Sequence, residues 1–141
     1  MTTKIPRALY KLVRRRANSR CEYCQSSEWL TAQRHHVDHI MPKVRGGATE
    51  ENNLCLACAS CNGSKQDKVE AVDPKSGEMV ALFHPRKEHW HNHFAWSKDG
   101  LQIIGLTASG RATVATLKLN RPLVIRARTV WVKVQLHPPK E

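Results

Sequence analysis

Long apolar runs are missing from this chain, and large aromatic side chains are scarce. The apolar stretches are short, Met79 to Phe83 being typical, against the roughly 20 residues that a bilayer-spanning helix needs. No apolar secretory segment follows the basic N-terminus, so neither secretion nor membrane insertion is expected, and a cytoplasmic location is. Aromatics make up 6% of the residues. That leaves the core short of large side chains, so Trp29, Trp96 and Trp131 are expected to pack in it. Acids are the third scarcity. There is none from Met1 to Arg20 and none from Gly100 to Lys140, while each of those stretches carries seven Lys or Arg.

What is present fits one compact domain spanning residues 1–141. Hydrophobic residues make up 40% and charged residues 25%, enough for a modest core and too apolar for a disordered chain. The formal net charge is +11. The centre of the chain is nearly neutral, so the excess belongs to the flanks. Unbroken flanks of one sign repel each other unless an anion joins them, which reads as a phosphate-tracking footprint.

The spacing of Ile5, Ala8, Leu9, Leu12, Val13 and Ala17 predicts an amphipathic helix from about Pro6 to Ala17, with Arg7, Lys11, Arg14 and Arg15 on its far face. Asn18-Ser19 ends it. A knuckle turn over Cys21 to Cys24 follows, then a strand from Arg34 to Ile40, a loop from Pro42 to Gly47 and a return strand from Asn53 to Leu56. A helix is expected from Ala59 to Val69. Further on, Glu78 to Phe83 reads as a strand, and Phe94 to Ser97 with Leu101 to Leu106 as a hairpin about Lys98-Asp99-Gly100. Thr107 is placed to cap a helix through Leu119, and Asn120 a last one. In that last segment Val130, Val132 and Val134 alternate as a strand would.

Five cysteines stand at 21, 24, 55, 58 and 61. Cys21-x2-Cys24 and Cys58-x2-Cys61, separated by thirty-three residues, point to a tetrahedral Zn2+ held by four thiolates. The two-residue spacing lets both sulfurs of a pair reach one ion at about 2.3 Å. The competing reading, a redox CxxC, needs a βαβ setting that is absent here. Cys55 is either a rival ligand or a buried apolar side chain on the return strand, and the second is expected.

Between the pairs lies His35-His36-Val37-Asp38-His39-Ile40-Met41-Pro42, followed by Gly46-Gly47, Asn52-Asn53-Leu54 and Cys61-Asn62-Gly63-Ser64-Lys65. Read bare, this is a set of imidazoles, one carboxylate and amides. Mixed nitrogen and oxygen donors suit a divalent cation with open positions. An unpaired imidazole with an ordinary pKa near 6.5 is a workable general base.

With its DHI-P segment, GG, NL and CxxCN-x2-K, the sequence resembles the zinc-knuckle branch of the HNH endonucleases, also called His-Me finger or ββα-metal nucleases. The resemblance is close from Ser19 to about Lys68. It implies an α+β fold: an HNH core at 19–70, a structural zinc knuckle, an N-terminal helix and a hairpin-plus-helices extension at 71–141. It further implies Asp38 and Asn62 as ligands of a catalytic divalent ion, Mg2+ or Mn2+, and His39 as general base. Asn53 would brace the loop that aims His39, and Lys65 would contact phosphate. One geometric difficulty attaches to this assignment. In a flat strand Asp38 and His39 point to opposite faces, whereas His36 shares a face with Asp38. Either the strand twists and ends at the site, or His36 joins the metal; His35 and His36 are expected to be supporting strand residues.

The implied activity is hydrolysis of phosphodiesters in DNA, RNA being the alternative to DNA as substrate, by nicking of low sequence specificity that leaves 5′-phosphate and 3′-hydroxyl ends. Because the centre is neutral, Arg7, Lys11, Arg14 and Arg15, with Arg111, Arg121, Arg126 and Arg128, are expected to supply the grip on nucleic acid. A monomer or weak dimer without a membrane partner is expected. The alternative is a non-catalytic zinc-knuckle module that only binds nucleic acid. The stretch His84 to His93 is expected to pack rather than to hold a metal, with Trp90 and His93 against the hairpin.

Overall fold

The computed structural model describes residues 5–140. It is an α+β protein of short helices and two-stranded antiparallel sheets, and its residues fall into two compact units. One comprises Met1–Val69 with His84–Lys87, the other Glu70–Phe83 with Glu88–Glu141.

In the first unit, helix α1 (Arg7–Arg16) buries Val13 and lays Leu9 and Ala17 against Leu54, Leu56 and Val37. Arg14, Arg15 and Arg16 close its last turn, where cations complement the helix dipole. Asn18 and Ser19, both at φ 55°, turn the chain out of the helix. A four-residue helix, α2 (Glu28–Thr31), precedes strand β1 (His36–His39) and is capped by the Ser27 side chain. Nothing in the apolar spacing announced it. Strand β2 (Leu54–Ala57) is buried along its whole length and pairs antiparallel with β1, Asp38 opposite Cys55 and His39 opposite Leu54. Helix α3 (Ala59–Lys65) follows at once. It is four residues shorter than the sequence predicts, because Gln66 takes a left-handed φ of 53° and Lys65 turns inward. His84–Lys87 belongs to this unit through Arg86, which forms an ion pair with Glu22.

In the second unit, β3 (Glu70–Val72) pairs with β4 (Met79–Ala81) across a turn that Asp73 organises. The short helix α4 (Trp90–His93) leads into β5 (Phe94–Trp96), which pairs with β6 (Ile103–Gly105). Trp90 stacks near Phe94 and Trp96, and His93 bonds Thr107 and Glu88. Helix α5 (Ala108–Thr116) starts at Thr107, whose hydroxyl accepts from the Gly110 amide at 3.0 Å. The last segment is helical, α6 (Pro122–Lys133). Its cap differs from expectation: Arg121 stands at the cap position and Pro122 begins the helix, a place where a missing N–H costs nothing. Asn120 instead grips β6, taking the Ile103 amide at 2.7 Å and donating to its carbonyl at 2.8 Å.

Asp73 anchors this unit electrostatically. Two Arg111 nitrogens donate to its two oxygens at 2.9 Å each, and the Lys75 amide and Ser76 hydroxyl add to them. The Arg111 guanidinium holds its carboxyl well below the usual carboxylate range. A carboxyl depressed by folding stabilises the native state above its unfolded pKa of about 3.9, and that contribution fades as pH falls toward the native pKa. Asp73→Asn should therefore lower the melting temperature at pH 7, and the gap to wild type should close as pH is taken below about 4. Calorimetric melts from pH 7 to pH 2 check this; a gap that stays constant throughout would remove Asp73 as a charged anchor.

Candidate metal centre and active-site cleft

The knuckle turn and the start of α3 converge. Cys21, Cys24, Cys58 and Cys61 are buried, and their four sulfurs lie within 4.8 Å of one another. All are free thiols, and Cys24 Sγ is 3.7 Å from Cys58 Sγ, far beyond a disulfide. Four sulfurs at about 2.3 Å from a tetrahedral ion would be about 3.8 Å apart, so the cluster has the donor set and spacing of a zinc site. Each pair is shaped for the purpose: the Cys24 amide points at Cys21 Sγ and the Cys61 amide at Cys58 Sγ, both at 3.4 Å. Cys58 thereby also caps α3. The knuckle is stitched to β2 as well, Glu22 N–H donating to the Leu56 carbonyl and the Leu56 amide to Glu22 Oε2, both at 2.8 Å. Cys55 stays outside the cluster, buried on β2 beside Tyr23 and Asp38.

Beside the hairpin is an open cleft lined by Asp38, His39 and Asn62, with Pro42, Lys43 and Gln66 among its walls. β1 ends at His39, and both Asp38 and His39 line the cleft. His36 is exposed and does not line the cleft. His35 is buried, its Nε2 bonded to the Ser26 carbonyl and its amide to Glu28 Oε2.

Asn53 holds the loop between the strands. Its Oδ1 accepts from the Met41 amide at 2.8 Å, and its Nδ2 donates to the Met41 and Ala48 carbonyls at 3.0 and 2.9 Å. Gly46 turns the loop at φ 89°, and a Cβ on Gly47 would lie 1.7 Å from the Met41 carbonyl oxygen. Only glycine lets the two sides of the loop approach so closely. His39 Nε2 lies 2.9 Å from Thr49 Oγ1 on the same loop. Partial burial pushes the His39 imidazole below its ordinary value, and the charges of Lys43 and Lys65 add to the effect.

Asp38 is 6% exposed. Burial pushes its carboxyl upward, against the pull of Lys65 and of the Tyr23 hydroxyl. Lys65 Nζ lies 3.2 Å from Asp38 Oδ2 and also meets the His39 and Ile40 carbonyls. Lys65 is therefore no surface phosphate contact. It is 2% exposed and spends its charge on the buried aspartate.

The expected nucleic-acid residues divide. Arg7, Lys11 and Arg15 are exposed on α1, and Arg14 is shared with Glu28 at 2.7 Å. Arg121 is partly exposed, while Arg128 is wholly buried, contrary to expectation. Arg128 donates to the Leu101 and Leu119 carbonyls and to Asn120, and lies 5.2 Å from the centre of the Trp96 ring. Satisfied backbone carbonyls of the hairpin and the α5–α6 link explain why a cation sits there. Trp29 also departs from expectation, since on the outer side of α2 it is 87% exposed. Tyr23 and Thr49 escaped the sequence reading. Tyr23 had a signal, an aromatic next to a metal-binding cysteine in a chain with two tyrosines; Thr49 had none.

A β-hairpin and a short helix clasped by four thiols define a zinc-knuckle ββα unit. Residues 21–68 match the family model described as HNH endonuclease, and the four-cysteine cluster lies within that stretch. No curated protein and no solved structure matches the chain. Among the described residues, no helix is long and apolar enough to cross a membrane.

The cysteine geometry separates ligands from bystander. Cys58→Ser should abolish stoichiometric zinc in elemental analysis and destabilise the protein by several kcal/mol, since site formation and folding are linked. Cys55→Ala should keep its full zinc content.

Proposed function

We propose that the protein is a metal-dependent HNH endonuclease that hydrolyses phosphodiester bonds in DNA, nicking with low sequence specificity. The observation that carries this reading is the convergence of Asp38, His39 and Asn62 on one open cleft. A carboxylate and an amide oxygen are the hard donors that Mg2+ or Mn2+ accepts, so the residues present fit such an ion. Bound by Asp38 and Asn62, it supplies positive charge for the anionic transition state.

The rest of the chemistry belongs to the chain. In the tautomer whose Nε2–H donates to Thr49 Oγ1, Nδ1 is the ring's proton acceptor, and the lowered pKa of His39 favours the neutral ring. His39 takes a proton from water as the oxygen attacks phosphorus in line. The bond to the 3′-oxygen breaks and that oxygen takes a proton from solvent water, giving 5′-phosphate and 3′-hydroxyl ends. Asn53 fixes the loop carrying Thr49 and so limits His39 to one ring orientation. Lys65 and Tyr23 offset the burial of the Asp38 charge. The exposed Arg7, Lys11 and Arg15 of α1 and Arg121 supply attraction to phosphate that the near-neutral centre lacks.

Supercoiled plasmid with Mg2+ or Mn2+ should be nicked by the intact chain, and His39→Ala should lower the rate by at least about 100-fold, the usual worth of a general base, without loss of DNA binding. Equal nicking by both proteins would defeat the assignment and leave the binding-module alternative. Exclusive cleavage of RNA would redirect the substrate.

Reversing charge at Arg7, Lys11 and Arg15 together should weaken DNA binding at least about tenfold and shallow the salt dependence by about one unit per lost phosphate contact. Binding measured from 50 to 200 mM salt tests it; an unchanged slope would take α1 out of the interface.

A further inference from the structure

Tyr23 is fully buried, and its hydroxyl meets the aspartate that lines the cleft. It donates to Asp38 Oδ2 at 3.0 Å. Lys65 Nζ meets the same oxygen at 3.2 Å and the Cys55 thiol lies 3.7 Å from it. All three contacts fall on Oδ2, and none of them engages Oδ1. A carboxylate oxygen offers about two lone-pair directions, so Oδ2 is taken up on the protein side. The ammonium attracts without much preference of direction, whereas a phenolic O–H bond is directional. Of the two strong partners, it is therefore Tyr23 that fixes the rotation of the carboxylate about its Cβ–Cγ bond.

We infer that Tyr23 is a positioning residue which locks Asp38 with Oδ1 toward the cleft, and thereby makes the zinc knuckle set the affinity for the catalytic divalent cation. The inference rests on the reading of Asp38 as that cation's ligand. Tyr23 sits between Cys21 and Cys24, whose sulfurs belong to the four-thiol cluster. A side chain there has its backbone pinned at both ends once the metal is bound. The four-thiol site is thus linked to the second cation's aspartate through one hydroxyl. Removing the hydroxyl alone should leave the knuckle assembled and the carboxylate free to rotate onto Lys65.

The test is Mn2+ binding to the zinc-loaded full chain, by electron paramagnetic resonance, for wild type, Tyr23→Phe and Asp38→Asn. Tyr23→Phe should retain its zinc and weaken Mn2+ binding about tenfold, the scale of one hydrogen bond to a charged group. Its nicking should fall at low Mn2+ and recover at saturating Mn2+. Unchanged Mn2+ affinity in Tyr23→Phe, with affinity lost in Asp38→Asn, would overturn the role of Tyr23 and leave the nuclease reading intact. Wild-type affinity in Asp38→Asn would overturn the ligand assignment itself. A second measurement needs no destabilising substitution. With 3-fluorotyrosine at both tyrosines, Mg2+ should shift the Tyr23 fluorine resonance, and Asp38→Asn should abolish that shift; a Tyr23 resonance indifferent to Mg2+ would refute the coupling.

Discussion

Four thiolates that must share one ion constrain everything around them. Cys21 and Cys24 lie on a turn with no regular structure of its own, and Cys58 and Cys61 at the head of a seven-residue helix. Neither segment is long enough to be stable alone in water. Joining them closes a loop of thirty-three intervening residues, and closing it in the native state removes chain entropy that would otherwise oppose the β1–β2 pairing. The hairpin runs inside that loop. Its register, Asp38 opposite Cys55, places the aspartate over the knuckle, and the helix that begins at the metal site delivers Asn62 and Lys65 to the same aspartate's neighbourhood. The scaffold and the cleft are one piece of covalent geometry.

Burying Asp38 has an electrostatic consequence. Desolvation alone would favour its protonated form, which is a poor ligand. Lys65 and Tyr23 oppose that without occupying the side open to the cleft. A lysine at the end of α3 is thereby better used inside than outside. The same helix could present it to solvent only by leaving the aspartate with one hydroxyl as its main partner.

Much of this was legible in the sequence. Paired CxxC spacing fixes which sulfurs can meet, and apolar spacing at Leu9, Val13 and Ala17 reveals α1 because one face must be buried. The Asp38-His39 pair, Asn53 and Asn62 stand out by chemistry and by resemblance. What escaped was long-range: Asn120 reads as a helix cap by local rules, yet β6 competes for its amide and wins. α2 and α4 are single turns whose existence depends on neighbours rather than on periodicity. The scarcity of aromatics points Trp29 to the core, but composition cannot say which of four tryptophans a small core leaves out.

Formal charge also misleads when it is treated as surface charge. The +11 of the sequence includes Lys65 and Arg128, both sealed from solvent, and Arg14 and Arg111, each joined to a carboxylate. Such groups add little to the field that a polyanion meets, since their charge is compensated locally or screened by the protein around it. In the unit that carries the cleft, exposed cations remain on α1, at Arg7, Lys11 and Arg15, and on the loop after β1, at Lys43 and Arg45. Ile5, just before that helix, is itself a wall of the cleft. A ten-residue helix extends about 15 Å, and on the proposed reading its exposed cations would offer a nucleic-acid strand further phosphate contacts. On the proposed nuclease reading, a cleft beside a basic helix separates grip from chemistry: phosphates far from the reacting bond would meet arginine and lysine, while the reacting one would meet groups whose charge is already arranged.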